Sequence, residues 1–347
     1  MYIKRIVLAV VLLGLVACGV FAYKVYSAFF LPNTQFNNEE AFVYVSSRAN
    51  LDEVVQQLEP LLKDVETFRA TAARKGYAGN IKGGKYRILK GMSNNDVVNT
   101  LRSANLPVKV SFNNQETIHD LAQRVAQQLE ADSTSLVNAF SDPEFLAGKG
   151  LDLENALTLY LPNSYEFFWN TGAVDFRERM VKEYDRFWNA DRLAKAKALK
   201  LAPEEVIALA SIVHKETAKV DERPKVAGLY LNRIRRGMLL QADPTVIYAI
   251  KKETGNFDTV IKRVLYRDLE LDSPYNTYKY PGVPPGPITM PDISAIDAVL
   301  NAEKHNYLYM VANVQDFGYH MFAENLAQHN RNKAQYIRWI NAQDIKR

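Results

Sequence analysis

Residues 201–217 read LAPEEVIALASIVHKET, and this stretch places an acidic residue at the end of an apolar helix. Pro203 followed by Glu204 and Glu205 is typical of a helix N-terminus, so the pattern predicts a helix over residues 201–217. One face of that helix is apolar and is formed by Val206, Leu209, Ala210 and Val213. The next position on this face is Glu216, where a leucine would be expected. A carboxylate there would be half buried and reactive.

Two interpretations of Glu216 follow from this position. The first is an ordinary solvated residue or ion-pair partner, since Lys215 and Lys219 are close enough to pair with it. The second is an acid catalyst, because burial among apolar side chains would keep the carboxyl group protonated near neutral pH. The downstream segments 241–245, 275–278 and 282–287 favour the second, because their polar, aromatic and glycine–proline residues could form the walls of a cleft.

Length and composition predict a folded protein of two globular units. The chain has 347 residues, of which 48% are hydrophobic and 24% charged. Alternating helices with a few non-adjacent strands predict an α+β fold rather than repeated βαβ units. The net charge of +4 comes from 43 basic and 39 acidic residues without a dense basic stripe, so we expect no nucleic acid partner.

Several classes of chemistry lose support from the motifs. Cys18 is the only cysteine, which excludes an intrachain disulfide and a cysteine-based metal site. His214-Lys215-Glu216 matches the start of the zinc deaminase motif but lacks the cysteine pair that such a site needs. The chain has no H-E-x-x-H, G-x-S-x-G, G-x-G-x-x-G or P-loop motif. We therefore expect no cofactor and no metal, and acid–base chemistry by a carboxylate remains.

A sugar substrate would suit this chemistry if the chain supplied aromatic platforms and neutral hydrogen-bonding side chains. The candidates are Tyr165, Gln241, Tyr248, Tyr275, Asn276 and Tyr278. By contrast, three arginines near the end of a helix predicted over residues 225–236 are interpreted as a solvated helix end. They are Arg233, Arg235 and Arg236.

The N-terminus predicts a membrane anchor. Residues 6–23 are uncharged and mostly apolar, and Lys4 and Arg5 precede them. The positive-inside rule then predicts a cytoplasmic N-terminus at residues 1–5, a transmembrane helix at 6–25 and a periplasmic remainder, in a single-pass protein of the inner (cytoplasmic) membrane. A signal peptide is the alternative, because residues 15–18 resemble a lipobox that ends at Cys18. The apolar run continues past Cys18, which favours the uncleaved helix.

Two units are predicted beyond a short stalk at residues 26–40. Residues 41–107 contain a short strand, two helices and a short strand after a glycine turn, an order that resembles LysM-type carbohydrate-binding modules. A small spacer domain is the equal alternative. Residues 108–347 begin with a strand over 108–112 and form the predicted catalytic domain.

Short segments along the chain occur in the order and spacing of a known family. The main ones are ASIVHKET at 210–217, ER at 222–223, VA at 226–227, NR at 232–233, GM at 237–238, LQADPTVIY at 240–248, YNTY at 275–278 and GVPPGPI at 282–288. The others are GKYR at 84–87, GMS at 91–93, HMF at 320–322, NL at 325–326 and HN at 329–330. On these residues the chain resembles, over nearly its full length, the bacterial membrane-bound endolytic murein transglycosylases of the MltG/YceG type.

This resemblance implies an activity. Such enzymes cleave the β-1,4 bond between N-acetylmuramic acid and N-acetylglucosamine inside nascent peptidoglycan glycan strands, leave a 1,6-anhydromuramoyl end and so end strand elongation. The catalytic glutamate of the family corresponds to Glu216. Peptidoglycan, the membrane and cell-wall synthases are the partners that it implies. We expect substrate contacts from Tyr165, Gln241, Asp243, Thr245, Asn276 and Tyr278.

The sequence departs from the family at two places. Members often carry a second glutamate where this chain has His214, which leaves Glu216 as the acid and His214 as an expected surface residue. Members also often have Phe-Pro-Asp-Thr-Tyr where this chain has LPNSY at 161–165, so an acid catalyst is not expected in that loop. Hydrolysis with Asp243 or Glu166 placing a water, and a non-catalytic membrane-tethered glycan-binding scaffold, are the alternative functions.

Overall fold

The computed structural model of the protein describes residues 2–342. Within this range the helices are α1 (Tyr2–Phe30), α2 (Leu51–Leu58), α3 (Val65–Arg74), α4 (Asn94–Ser103), α5 (Ile118–Ala126), α6 (Ser133–Phe140), α7 (Pro143–Gly148), α8 (Ala173–Phe187), α9 (Ala190–Leu199), α10 (Pro203–Glu216), α11 (Arg223–Arg235), α12 (Asp243–Thr254), α13 (Ile293–Leu300) and α14 (Leu326–Ala342). The strands are β1 (Glu40–Val45), β2 (Gly84–Leu89), β3 (Pro107–Phe112), β4 (Asn163–Phe168), β5 (Tyr309–Ala312) and β6 (His320–Ala323). They pair as β1–β2, β3–β4 and β5–β6. Many helices with small separate sheets confirm the predicted α+β class.

The chain divides into two compact units. The first contains the described residues up to Val110 together with Gln128–Ala131 and Tyr165–Gly172. The second contains Ser111–Gln127, Asp132–Ser164 and the described residues from Ala173 onward.

The first unit packs helices against one hairpin-like pair of strands. β1 and β2 are antiparallel, with Val43 opposite Tyr86, and both side chains are buried in the core of this unit. Asn50 caps α2 by accepting a hydrogen bond of 3.0 Å from the amide of Glu53. The predicted order of strand, two helices and strand is present. Carbohydrate binding by this unit stays a prediction.

Helix α1 is the apolar segment at the N-terminus. Its 29 residues span about 44 Å, which is more than the hydrocarbon core of a bilayer. None of its side chains is buried against the rest of the protein, and Cys18 is exposed. The helix is therefore long and apolar enough to cross a membrane.

Helix α10 lies at the centre of the second unit. Every residue from Val206 to Val213 is buried, because α9, α11, α12 and α13 pack around the helix. The sequence predicted one apolar face, but the remaining positions, Ile207 and Ile212 among them, are buried as well. A helix that is buried on all sides and ends at the surface brings its last side chain to the rim of the core.

Candidate active site

Glu216 is the last residue of α10, and the chain leaves the helix at Thr217 with extended backbone angles. The Glu216 side chain is half-buried. The carboxylate also lies at the negative end of the helix dipole, which disfavours its ionised form. Lys215 and Lys219 do not pair with it: the Lys215 ammonium contacts Glu116, and the Lys219 ammonium lies 4.7 Å from the ring centre of Tyr319. The ion-pair interpretation of Glu216 is therefore wrong.

A cavity of about 260 Å³ opens beside this carboxylate. Its polar wall contains Glu216, Tyr230, Arg233, Gln241, Asp243, Tyr278 and His320. These side chains come from the ends of α10 and α11, the start of α12, the 275–278 segment and β6. The second unit thus gathers at one place residues that are more than 100 positions apart in the chain.

Tyr230 is the direct partner of Glu216. It is 2% exposed, and its hydroxyl donates a hydrogen bond of 2.7 Å to Oε1 of Glu216. Burial raises the pKa of the Glu216 carboxyl above its ordinary value; the Tyr230 hydrogen bond and the charges of His320 and Arg233 oppose this shift, and Asp243 adds to it. Oε2 remains as the oxygen that can carry a proton.

Arg233 holds the segments of the cavity wall together through its hydrogen bonds. Its guanidinium donates hydrogen bonds to the carbonyl oxygens of Leu308 (2.6 Å) and Leu240 (2.9 Å) and to the side-chain oxygen of Gln241 (3.2 Å). It is 7% exposed, so its interpretation as a solvated residue is wrong. Arg235 and Arg236 are exposed as predicted.

His320 is held by a buried carboxylate. Glu222, which is 6% exposed, accepts hydrogen bonds from the backbone amide of His320 (2.6 Å) and from its Nδ1 (2.9 Å). Burial alone would raise the pKa of Glu222, but these hydrogen bonds outweigh it and hold the pKa below its ordinary value. The Glu222 carboxylate accepts the hydrogen bond of Nδ1, which leaves Nε2 as the ring nitrogen without a hydrogen bond among the described residues.

Two predicted residues hold the backbone of the cavity wall. Thr245 and Asn276 are fully buried. The Thr245 hydroxyl donates to the carbonyl of Ala242 at 2.7 Å, and its oxygen lies 2.8 Å from the hydroxyl of Thr277. The Asn276 amide donates to the carbonyls of Leu269 and Leu271 at 2.9 and 2.8 Å. These bonds join the segments that carry Gln241 and Tyr278.

Three predicted residues line the cavity itself. The Tyr278 hydroxyl donates to Oδ1 of Asp243 at 2.5 Å. Gln241 has a φ of 52°, a left-handed conformation that is uncommon for a residue with a side chain. The backbone amide of Gln241 donates a hydrogen bond of 3.0 Å to the carbonyl of Thr277, so the 275–278 segment holds this conformation in place.

Three other aromatic candidates lie elsewhere. Tyr165 is partly exposed on β4 and belongs to the first unit. Tyr275 is fully buried, donates a hydrogen bond of 2.9 Å to Glu154 and packs with its ring 4.7 Å from that of Tyr248.

His214 does not lie free on the surface. Its side chain is 16% exposed, and its Nδ1 lies 3.3 Å from both Asp292 and Arg223. Burial lowers its pKa, and the charge of Arg223 adds to this effect while Asp292 opposes it. The surface interpretation of His214 is therefore wrong.

Sequence analysis did not single out Tyr230, Glu222, Arg233 and His320 as site residues. The signal for Tyr230 was its place on the apolar face of α11, because a buried tyrosine hydroxyl needs a partner. Glu222 and His320 lie in the family segments at 222–223 and 320–322, but nothing in the sequence indicates that they pair, since 98 positions separate them. Within residues 2–342 the structure brings together no three His, Cys, Asp or Glu side chains in a metal-binding arrangement.

Comparison with known proteins places this chain in a family. The chain is 27% identical over 294 residues to the endolytic murein transglycosylase of Bacillus subtilis strain 168, an alignment that covers 80% of this chain and 79% of that protein. It is 28% identical to the endolytic murein transglycosylase of Streptococcus pneumoniae strain D39, and the alignment covers 92% of this chain but 63% of the longer pneumococcal protein.

The fold is also similar to a solved structure. A YceG-like protein from Listeria monocytogenes superposes with a TM-score of 0.55 at 28% identity, over 85% of this chain and 99% of that one. Residues 43–335 match the model of the YceG-like family. This chain therefore belongs to the YceG-like family.

Proposed function

We propose that this protein is a lytic transglycosylase of peptidoglycan. It cuts the β-1,4 bond between N-acetylmuramic acid and N-acetylglucosamine within glycan strands and leaves a 1,6-anhydromuramoyl end. The observation that carries the proposal is the half-buried Glu216, whose pKa is raised by burial, in a polar cavity. Its relatives that are named endolytic murein transglycosylases support the same activity.

Glu216 acts first as the acid. Burial raises the pKa of Glu216 and so favours its protonated form, and Tyr230 occupies Oε1, so Oε2 delivers the proton to the glycosidic oxygen. The bond between that oxygen and C1 of the muramic acid breaks, and its electron pair stays on the leaving oxygen. The leaving sugar then carries an ordinary hydroxyl group.

Glu216 acts next as the base. The C6 hydroxyl of the same muramic acid attacks C1 and gives its proton to the carboxylate, which restores the starting acid. Water takes no part, so a second carboxylate that activates water, as in ordinary glycoside hydrolases, is not required. Asp243 lines the same cavity and stabilises the positive charge that develops at C1.

Substrate contacts come from Gln241, Asp243 and Tyr278 directly, and from Thr245 and Asn276 through the backbone that they hold. The length and apolar composition of α1 support membrane attachment, and Lys4 and Arg5 before its apolar core favour a periplasmic working part. There the enzyme meets nascent strands beside the cell-wall synthases and ends their elongation. Protease added to cells whose outer membrane has been removed tests this orientation. Degradation of the residues beyond α1 supports it, and full protection of these residues overturns it.

Product analysis tests the reaction. Purified glycan strands are digested by the full chain, and the ends are identified by mass. Anhydro ends are expected; reducing ends would mean hydrolysis and overturn the proposal. Glu216→Gln is compared with Glu204→Gln, which changes a glutamate in the first turn of the same helix. Full activity of Glu216→Gln would remove Glu216 from its role. An unchanged phenotype in cells that carry only Glu216→Gln would instead favour the glycan-binding scaffold.

A further inference from the structure

A second and larger cavity of about 580 Å³ lies in the second unit. It uses the same two structural elements as the site around Glu216. At the end of α10, Lys215 lines the larger cavity and Glu216 lines the smaller one. At the start of α12, Pro244 lines the larger cavity and Asp243 lines the smaller one. Because consecutive residues are about 3.8 Å apart, the two cavities flank the same helix ends. The two cavities are therefore lined by adjacent residues of the same two elements.

The charged groups of the larger cavity centre on Glu116. Its two oxygens accept hydrogen bonds of 2.7 Å from the ammonium groups of Lys215 and Lys251. The Lys251 side chain is 13% exposed and that of Glu116 is 22% exposed. Among the described residues, each of the two ammonium groups makes only this one hydrogen bond. Since a lysine ammonium group has three N–H donors, each keeps two for a ligand.

The rest of the lining has mixed character. Asp120 and Asp258 also line the cavity, so that with Glu116 it has three acidic side chains and two lysines. Asp120 already accepts the hydrogen bonds of the cap at Thr117, and Asp258 is exposed. Tyr248 and Phe257 form an aromatic wall with ring centres 5.7 Å apart. The cavity thus offers donors for carboxylates, acceptors for an amine and an apolar surface.

A neutral sugar would leave these charges unused, and a phosphate would use neither the acidic groups nor the aromatic wall. A short peptide with free carboxylates, an amine and small side chains matches all three features. Murein is a glycan whose muramic acid residues carry short peptides, so its peptide is the zwitterionic group that lies beside the bond at Glu216.

We propose that this cavity binds the peptide of the murein strand, with Lys251 and Lys215 as the carboxylate-binding groups. The inference rests on the proposed function for the identity of the substrate. The peptide then selects which glycosidic bond reaches Glu216. Strands that carry peptides are bound in preference to bare ones.

Binding to the full chain carrying Glu216→Gln tests this inference, because the ligand is not consumed. Calorimetry compares a murein disaccharide that carries its peptide with the same disaccharide without the peptide. The peptide is expected to increase affinity about tenfold or more, and Lys251→Met is expected to abolish this preference. Lys195→Gln, which also breaks a lysine–carboxylate pair, is the control and is expected to keep it.

A second variant changes the preference in the opposite direction. Glu116→Gln frees both ammonium groups, so it is expected to increase the preference for the peptide-bearing ligand. Equal affinity of the two ligands, or unchanged preference in Lys251→Met, overturns the inference. Weaker binding of both ligands to Lys251→Met would make the cavity a sugar subsite and also overturns it.

The two proposals fail separately. If the unmodified chain cuts no glycan strand, the transglycosylase proposal fails while the calorimetric comparison still decides about the cavity. If strands are cut to anhydro ends but the peptide preference is absent, the transglycosylase stands and the peptide site falls.

Discussion

The hydroxyl of Tyr230, in the second half of α11, donates a 2.7 Å hydrogen bond to Oε1 of Glu216 at the end of α10, and both residues line the same cavity. Burial raises the pKa of the Glu216 carboxyl group, and this hydrogen bond lowers it. Tyr230 therefore both orients the acid and limits the shift of its pKa.

Glu216→Gln should reduce the rate of strand cleavage by about 100- to 10,000-fold, the usual contribution of a general acid–base residue. Product release measured by mass spectrometry checks this. Glu204→Gln should cut strands at the normal rate, and a loss of similar size in that control would show that the effect is not specific to Glu216.

Glu216→Gln should also change how the stability of the protein depends on pH. The pKa of Glu216 is raised in the folded state, so its stabilising contribution is present below the ordinary glutamate pKa and is lost as pH rises through the folded pKa. Relative to the unmodified protein, Glu216→Gln should therefore become more stable as pH rises across this window. Thermal unfolding at a series of pH values measures it; a constant difference at all pH values would contradict the raised pKa.

Tyr230→Phe should shift the pH–rate profile. Removing the hydrogen bond removes an effect that lowers the pKa of Glu216, so the decline of kcat/KM at high pH should move to higher pH. Tyr184→Phe changes a partly buried tyrosine on α8 and should leave the profile in place. A shift to lower pH would show that the Tyr230 contact stabilises the protonated acid.

Glu222→Gln should destabilise the protein by about 2 kcal/mol at neutral pH, because charge-assisted hydrogen bonds to His320 are lost. The pKa of Glu222 is held low, so this stability is present above the ordinary glutamate pKa and is lost as pH falls through the folded pKa. Urea unfolding at neutral and acidic pH measures both values. A difference that persists at acidic pH would argue against the ionised carboxylate as its source.

Gly286→Ala should destabilise the second unit by about 1–3 kcal/mol and slow cleavage. A methyl group at this position would come within 2.0 Å of the carbonyl oxygen of Glu154, which is backbone and cannot rotate away. The clash lies in the loop that follows Tyr278. Gly148→Ala, where no atom lies within 4 Å, should change stability by less than about 0.5 kcal/mol. Equal stability of both variants would contradict the close approach.

Local patterns were sufficient where the physics is local. Helix starts and ends follow from capping and glycine, as at Asn50, whose side chain caps α2, and at Gly237, which has a φ of 66° after α11. Arg233 shows the limit: a basic residue near a helix end is usually solvated, but here the chain folds back and surrounds it with carbonyl groups. Burial of that kind depends on distant segments.

The sequence by itself determined a helix over 201–217, which the structure has at Pro203–Glu216, the acid near its end and the family. Periodicity, capping and ordered motifs are properties of neighbouring residues. Only the tertiary structure decided the environment of Glu216. Tyr230, Asp243, Tyr278 and His320 reach it from separate elements, and the packing of α11, α12 and β6 sets their places. The proton affinity of the acid depends on that enclosure, since burial and nearby charges act through space rather than along the chain.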